Sequence, residues 1–164
     1  MKTLYINRHA KSSWANMGMA DFDRPLNNRG ENDAPMMGKR LKERGIIPDY
    51  ILSSPANRAI TTARTIATEI GYLLANIKED RNLYHASEVS ILEVIKQQDD
   101  ENDSLMIFGH NPGFTDLASI LSGRWFDNIP TCGIVAVKFE TENWKEVAAG
   151  NGEILFFDYP KNIR

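Results

Sequence analysis

Short apolar runs alternate with segments of helical periodicity along the first two thirds of the chain. The runs at residues 4–6, 50–52 and 105–108 are β-prone and short, as expected for buried strands. Apolar residues recur with helical spacing between and after these runs, which predicts four helices. The helices cover about residues 30–44, 55–70, 89–95 and 114–121. The chain therefore alternates strands and helices, as α/β proteins do.

Residues with special backbone preferences mark the ends of the predicted helices. Ser54 is predicted to cap the second helix, with Pro55 at its first position, and Ser87 is predicted to cap the third. Pro35 does not fit a straight helix, so it marks either a kink or the true start of the first helix. Glycine readily adopts the backbone conformation that ends a helix, and three glycines follow predicted helices: Gly45, Gly71 and Gly123.

The last third of the chain has a different pattern, with β-prone segments separated by turn residues. Residues 77–84, just before the third helix, stay ambiguous between a weak strand and a loop. The predicted antiparallel strands of the last third are residues 133–139, 144–148 and 153–159. Alternation followed by a hairpin region predicts an α/β sandwich with a mixed sheet.

Length and charge narrow the possible functions. The chain has 164 residues, which fits a single domain over residues 1–164. Its formal net charge of −3 gives no global attraction to nucleic acid or to an anionic membrane, so an anion site must be built locally from a few arginines. The only cysteine, Cys132, makes no internal disulfide, and no apolar run has the length of a signal sequence or a membrane span. We expect a cytoplasmic protein that binds neither nucleic acid nor membrane.

Polar residues that are candidates for catalysis or ligand binding follow each of the three predicted parallel strands. Arg8 and His9 follow the first strand, Ser54 and Arg58 the second, and His110 the third. The carboxyl ends of parallel strands share one edge of the sheet, where this class of fold binds ligands. Arg58 lies in the first turn of its predicted helix, where the helix dipole disfavours a cation. An anion bound between the arginine and the helix end explains that placement.

Other interpretations of these residues stay open at this point. A histidine at a strand end is often only a polar residue, and Arg58 alone is often a solvated one. Asp21 and Asp23 resemble a D-x-D phosphatase motif, although no apolar strand precedes them. Zinc binding by the three histidines, at positions 9, 85 and 110, lacks the usual ligand spacing. The chain contains no nucleotide-binding glycine loop and no G-x-S-x-G motif.

Three motifs occur in a fixed order along the chain. They are R-H-A-K-S at residues 8–12, S-S-P-A-N-R-A-I-T-T-A at residues 53–63 and F-G-H-N-P-G at residues 108–113. In this order they resemble the histidine phosphatase superfamily, which has the phosphoglycerate mutase-like fold. The stretch P-L-N-N-R-G at residues 25–30 is similar to one in its short SixA-type phosphohistidine phosphatases. The resemblance covers about residues 2–137 and implies an α/β three-layer sandwich, with a mixed, mostly parallel central sheet and helices on both faces.

The resemblance also implies a metal-independent phosphatase that uses no cofactor. His9 would be the nucleophile and would form a phosphohistidine intermediate that water hydrolyses. His110, protonated, would stabilise the charge that develops on the phosphoryl group, while Arg8 and Arg58 would clamp its oxygens. His9 must be neutral to attack, and the neighbouring cations help to keep it neutral. Further substrate contacts are expected from Lys11 and Ser54.

Departures from the family pattern bear on the substrate. Ala15 stands where mutase-type members carry a phosphate-binding asparagine. His85 stands near the position of a glutamate that is the proton donor in many members, and Glu88 is the other candidate donor. A sugar alkoxide leaves poorly without such an acid, whereas imidazole leaves easily because its nitrogen protonates near neutral pH. A weak or absent acid therefore favours phosphohistidine over a phosphate ester.

The sequence leads to three hypotheses about function. The first is a phosphatase that acts through His9 on phosphohistidine carried by a protein, a role in signal transduction. The second is a phosphatase of a small phosphorylated metabolite with the same site, which would need His85 or Glu88 as its acid. The third is a regulatory protein that binds a phosphorylated partner without turning it over.

Overall fold

A computed structural model describes residues 1–162 of the chain. These residues form six strands and four α-helices, joined by loops and short 3-10 turns. None of the helices in this part of the chain is both long and apolar enough to cross a membrane. The elements in chain order are β1 Lys2–Arg8, α1 Asn28–Glu43, β2 Tyr50–Ser53, α2 Asn57–Ile70, β3 Lys78–Glu79, α3 Glu88–Lys96, β4 Ser104–Gly109, α4 Gly113–Ser122, β5 Ile134–Phe139 and β6 Gly152–Asp158.

The strands form one sheet with the order β3-β2-β4-β1-β5-β6. The first four strands along the chain pair in parallel, whereas β5 runs antiparallel to β1 and β6 runs antiparallel to β5. This confirms the predicted mixed, mostly parallel sheet. The order also places β1 and β4 side by side at the centre, so their carboxyl ends meet in the middle of one sheet edge.

Alternate residues of each central strand pack on opposite faces of the sheet. Leu4 and Ile6 of β1 join the apolar side chains of α3 and α4 on one face. Met106 and Phe108 of β4 join those of α1 and α2 on the other face. Because both faces of the sheet are covered, the central strands are apolar runs rather than alternating ones, which explains why they were predictable.

The first turn of α1 holds the backbone of the Lys11 loop. Asn27 caps this helix by accepting a hydrogen bond from the backbone N–H of Gly30 at 2.9 Å. The backbone N–H of Asn27 donates to the Lys11 carbonyl oxygen at 3.0 Å. A Cβ atom on Gly30 would lie 2.2 Å from that oxygen, so this close approach requires glycine. Pro35 lies inside α1 and is therefore not its start.

The prediction that Ser54 caps α2 is wrong. The helix begins at Asn57, and its N-cap residue, Ala56, makes no side-chain capping hydrogen bond. The hydroxyl of Ser54 lies 2.8 Å from Nε2 of His110 and accepts a hydrogen bond from the backbone N–H of Ala56 at 3.2 Å. The Ser54 hydroxyl therefore contacts His110, which follows the neighbouring strand β4. Arg58 is the second residue of α2.

The predicted strand at residues 144–148 is also wrong. Trp144 begins a short 3-10 turn, Trp144–Glu146, and its side chain is fully buried. Its backbone N–H donates to a carboxylate oxygen of Asp100 at 2.8 Å, and its indole N–H donates to the Asn102 carbonyl at 2.8 Å. The buried apolar side chains of this segment hold a turn against the core. Their spacing along the sequence resembles that of a strand, which explains the wrong prediction.

Candidate active site

The parallel pairing of β1 and β4 brings the two candidate histidines together. Arg8, the last residue of β1, lies opposite Gly109, the last residue of β4. The next residues, His9 and His110, are therefore neighbours, and their ring centroids are 5.2 Å apart. A cleft of about 180 Å³ opens at this edge of the sheet. Six of the predicted site residues line it: Arg8, His9, Lys11, Arg58, His85 and His110.

The backbone and ring of His9 are fixed by three hydrogen bonds. Its backbone N–H donates to the Gly109 carbonyl at 3.0 Å, and its carbonyl accepts from the N–H of Cys132 at 2.9 Å. Ring nitrogen Nδ1 lies 2.7 Å from the Ala10 carbonyl oxygen. Since a carbonyl oxygen only accepts, Nδ1 carries the proton in the neutral ring and Nε2 carries the lone pair. The Nε2 lone pair of His9 is therefore available for a bond to another atom.

The surroundings of His9 keep its ring neutral. The pKa of His9 is lowered to about 4, and burial is the largest cause. The positive charges of Arg58, Arg8 and Arg24 act in the same direction. The hydrogen bond to the Ala10 carbonyl opposes them, because it favours a protonated ring. At pH 7 the side chain is therefore uncharged, as a nucleophilic imidazole must be.

His110 is also neutral in the free protein, and the family resemblance implies its protonated form only beside a phosphoryl group. Burial lowers its pKa to about 3, with further contributions from His9 and Arg58. Ser54 is fully buried and lies 2.8 Å from Nε2 of this ring, so it orients His110 and does not line the cleft. A negative charge bound in the cleft would counter these effects and favour the protonated ring.

Two buried polar atoms in the cleft wall lack a partner within residues 1–162. Nη1 of Arg8 donates to the Ile129 carbonyl at 2.8 Å, but Nε of the same side chain is buried without a hydrogen bond. Nδ1 of His110 is also buried without a hydrogen bond. An unpaired buried polar group costs about 1–3 kcal/mol. Both side chains line the cleft, so a bound oxyanion is one group able to supply the missing hydrogen bonds.

Asp21 organises the cationic wall of the cleft, a role that the sequence analysis missed. Its carboxylate accepts hydrogen bonds from Arg58 at 3.0 Å, Tyr84 at 2.7 Å and Arg24 at 2.9 Å. Its backbone carbonyl accepts a second bond from Arg58 at 2.7 Å. Partial burial alone raises the pKa of this carboxyl, but the bonds from these three donors hold the pKa well below its usual range. The charged carboxylate therefore fixes two arginines that face the cleft.

The sequence contains only a faint signal for Asp21 and Arg24. The sequence places Asp21 in a segment that resembles a D-x-D phosphatase motif, whereas in the structure its carboxylate holds two arginines. Arg24 immediately precedes the stretch at residues 25–30 that carries part of the family resemblance. Both residues lie in the irregular segment between β1 and α1, which has no periodicity from which their positions could be predicted.

The two candidate proton donors lie in different places. His85 lines the cleft, and its Nε2 lies 3.3 Å from the Asp21 carboxylate. Its ring is nearly parallel to that of His110, with centroids 6.2 Å apart. Glu88 is the first residue of α3 and does not line the cleft. Within residues 1–162 there is no group of three or more His, Cys, Asp or Glu side chains that could hold a metal ion.

Comparison with known proteins gives a family match. The family model of the histidine phosphatase superfamily (branch 1) matches residues 4–90. An uncharacterised chloroplastic protein of Arabidopsis thaliana is 30% identical over 159 residues, which cover 92% of this chain and 72% of that protein.

Two solved structures share the architecture over almost their whole length. SixA from Agrobacterium tumefaciens is 27% identical and superposes with a TM-score of 0.81, covering 97% of this chain and 98% of that one. A protein histidine phosphatase SixA complexed with tungstate has a TM-score of 0.84 at 21% identity, covering 99% of both chains. At 21% identity, the likeness to the tungstate complex shows a shared fold and no more.

The two buried histidines should make folding stability fall in mild acid. The unfolded imidazoles have a pKa near 6.5, whereas folding lowers the pKa of His9 to about 4 and that of His110 to about 3. Between these values the unfolded state binds more protons, so the free energy of unfolding decreases as the pH falls. We expect a loss of roughly 2 kcal/mol per histidine between pH 7 and pH 5, measured by urea denaturation without phosphate.

The double variant His9→Gln/His110→Gln is the control for this pH dependence. It removes both titrating rings, so its stability should change much less over the same pH interval. An equally steep decrease in the double variant would show that other groups cause the loss.

Arg58→Lys should weaken anion binding. Two nitrogens of Arg58 contact Asp21, which holds the guanidinium in one orientation at the cleft. A lysine ammonium cannot make both contacts and also reach the anion. We expect tungstate to bind about 10-fold more weakly or worse in isothermal titration calorimetry. Arg64→Lys, at an exposed position of α2, is the matched control, and the assignment fails if both variants bind tungstate equally well.

Proposed function

Because the chain belongs to the histidine phosphatase superfamily, we propose that it is a phosphatase whose nucleophile is His9 and whose substrate is phosphohistidine carried on a protein. One observation supports the reaction most directly. A neutral histidine with its Nε2 lone pair available lies in a cleft that Arg8 and Arg58 line, with His110 beside it. Phosphoryl transfer needs mainly a positioned nucleophile and fixed positive charge.

In the first half of the reaction, the phosphoryl group moves to the protein. Nε2 of His9 forms a bond to phosphorus while the bond between phosphorus and the leaving nitrogen breaks, and that nitrogen takes up a proton from solvent. Arg8 donates to a phosphoryl oxygen through its unpaired Nε, and Arg58 donates through the part of its guanidinium that Asp21 leaves free. Lys11 adds a further positive charge at the cleft wall.

In the second half, water releases the phosphate. A water oxygen attacks phosphorus, the bond to Nε2 of His9 breaks, and inorganic phosphate leaves while a water proton passes to solvent. His110 acts in both halves, because the negative phosphoryl oxygens favour its protonated form and the resulting imidazolium stabilises their charge. Ser54 positions that ring.

The lining of the cleft favours a substrate that leaves easily. Among the described residues, no Asp or Glu side chain lines the cleft, so no carboxylic acid is placed to protonate a poor leaving group. An imidazole needs less help than an alkoxide, because its nitrogen protonates near neutral pH. The structural likeness to SixA, named in one case as a protein histidine phosphatase, supports the same choice.

His85 supports a second candidate, a phosphatase of small phosphate esters. Its ring lines the cleft beside His110 and could protonate an alkoxide. In that case His85→Ala should reduce turnover of phosphate esters at least about tenfold and leave phosphohistidine turnover much less affected, since general acid catalysis typically contributes 10²–10⁴-fold.

The central prediction is loss of phosphate release in His9→Ala. Wild type and variant are compared on a phosphohistidine-carrying protein and on a panel of phosphate esters, with EDTA present. We expect wild type to release phosphate faster from phosphohistidine than from any ester, and His9→Ala to lose at least about 1,000-fold in rate above spontaneous hydrolysis.

Each other result of this experiment has a definite meaning. Full activity of His9→Ala would contradict the mechanism, and a preference for esters would favour the second candidate. Tight binding of the phosphoprotein without phosphate release would favour a regulatory binding protein.

A further inference from the structure

Trp14 is a large apolar side chain that stays exposed at the edge of the cleft. It is 71% exposed, although it lines the same cleft as His9. Exposed tryptophans beside a functional site often mark a binding surface, because burying a ring of this size is strongly favourable. The proposed reaction gives Trp14 no role.

The indole ring of Trp14 packs with one face on Arg24. The guanidinium carbon of Arg24 lies 3.3 Å from the ring centroid, which is a stacked cation–π contact. Arg24 is itself buried and anchored by hydrogen bonds to the Ser13 carbonyl, the Ser12 hydroxyl and the Asp21 carboxylate. Since one face lies on Arg24 while most of the residue is exposed, the other face of the indole is open.

We propose that the open face of Trp14 stacks on a planar aromatic ring bonded directly to the phosphoryl group. This inference rests on the proposed function, which supplies one such ring, the imidazole of phosphohistidine. Trp14 lines the same cleft of about 180 Å³ as His9 and the arginines, so a substituent on a phosphoryl group bound there shares that cleft with the indole ring. Stacking selects for a flat π-face and tolerates different rings, so a phenyl ring fits the same platform.

An aliphatic substituent gains much less from this arrangement, because it has no π-face to stack. Trp14 therefore acts as a specificity residue: it contacts the group that leaves and not the phosphoryl oxygens. Its removal should weaken recognition of the ring and spare recognition of the oxyanion.

The test uses two phosphonates that are not hydrolysed, so it does not depend on turnover. Phenylphosphonate carries a ring on phosphorus and methylphosphonate carries a methyl group. We expect wild type to bind phenylphosphonate about tenfold more tightly in isothermal titration calorimetry. Trp14→Ala should lose this preference while its affinity for methylphosphonate changes less than about twofold. Trp14→Phe, which keeps a ring, should retain most of the preference.

Trp125→Ala is the matched control, because Trp125 is 83% exposed and does not line the cleft. It should behave like wild type. An unchanged preference in Trp14→Ala, or equal weakening of both phosphonates, would overturn the inference; equal weakening would mean that Trp14 acts only through Arg24.

Turnover of phosphoimidazole and of phenyl phosphate, whose ring is attached through oxygen, then distinguishes the two ring sources when wild type is compared with Trp14→Ala on each compound. A larger fold-loss of kcat/KM on phosphoimidazole supports imidazole as the ring, and a larger fold-loss on phenyl phosphate overturns that assignment. A ring preference in binding without turnover of either compound would contradict the proposed function and leave the role of Trp14 intact.

Discussion

The parallel register of β1 on β4 is the constraint on which the whole site depends. It places Arg8 opposite Gly109, so the residues that follow, His9 and His110, leave the sheet side by side with ring centroids 5.2 Å apart. A strand shifted by one residue would turn its side chains to the other face of the sheet and separate the rings. The apolar residues of both strands, buried on both faces, fix this register, so the core and the site are specified by the same pairing.

Several arginines surround His9 and His110, and the carboxylate of Asp21 neutralises only part of their positive charge. Burial and the neighbouring arginines hold the pKa of both histidines low, so the free cleft carries its charge on arginines and not on imidazoles. Asp21 balances part of this charge and orients Arg58 and Arg24. Among the described residues, Nε of Arg8 is buried without a hydrogen-bond partner. In the proposed function, a phosphoryl group would supply oxygens for these donors and negative charge for His110.

The sequence predicted the central strands and the residues at their ends, and it failed where local pattern carries no spatial information. His9, Arg58 and His110 could be placed because buried parallel strands are apolar runs, and the edge where they end follows from topology. Asp21 and Arg24 could not be placed, since the irregular segment between β1 and α1 has no period. Ser54 looked like a helix cap because a serine before a proline is typical of one, whereas its partner is 56 positions away. Residues 144–148 have the pattern of a strand because anchoring a turn also needs buried apolar side chains.

The claim that phosphate passes through His9 is tested most directly by trapping the intermediate. Protein mixed with a ³²P-phosphohistidine-carrying substrate is quenched in base within the first turnover, digested and mapped by mass spectrometry. The account predicts an acid-labile, base-stable label on the peptide that contains His9, formed before free phosphate appears. Phosphate release at the full rate with no labelled protein at any time, or a label on another residue, would contradict it.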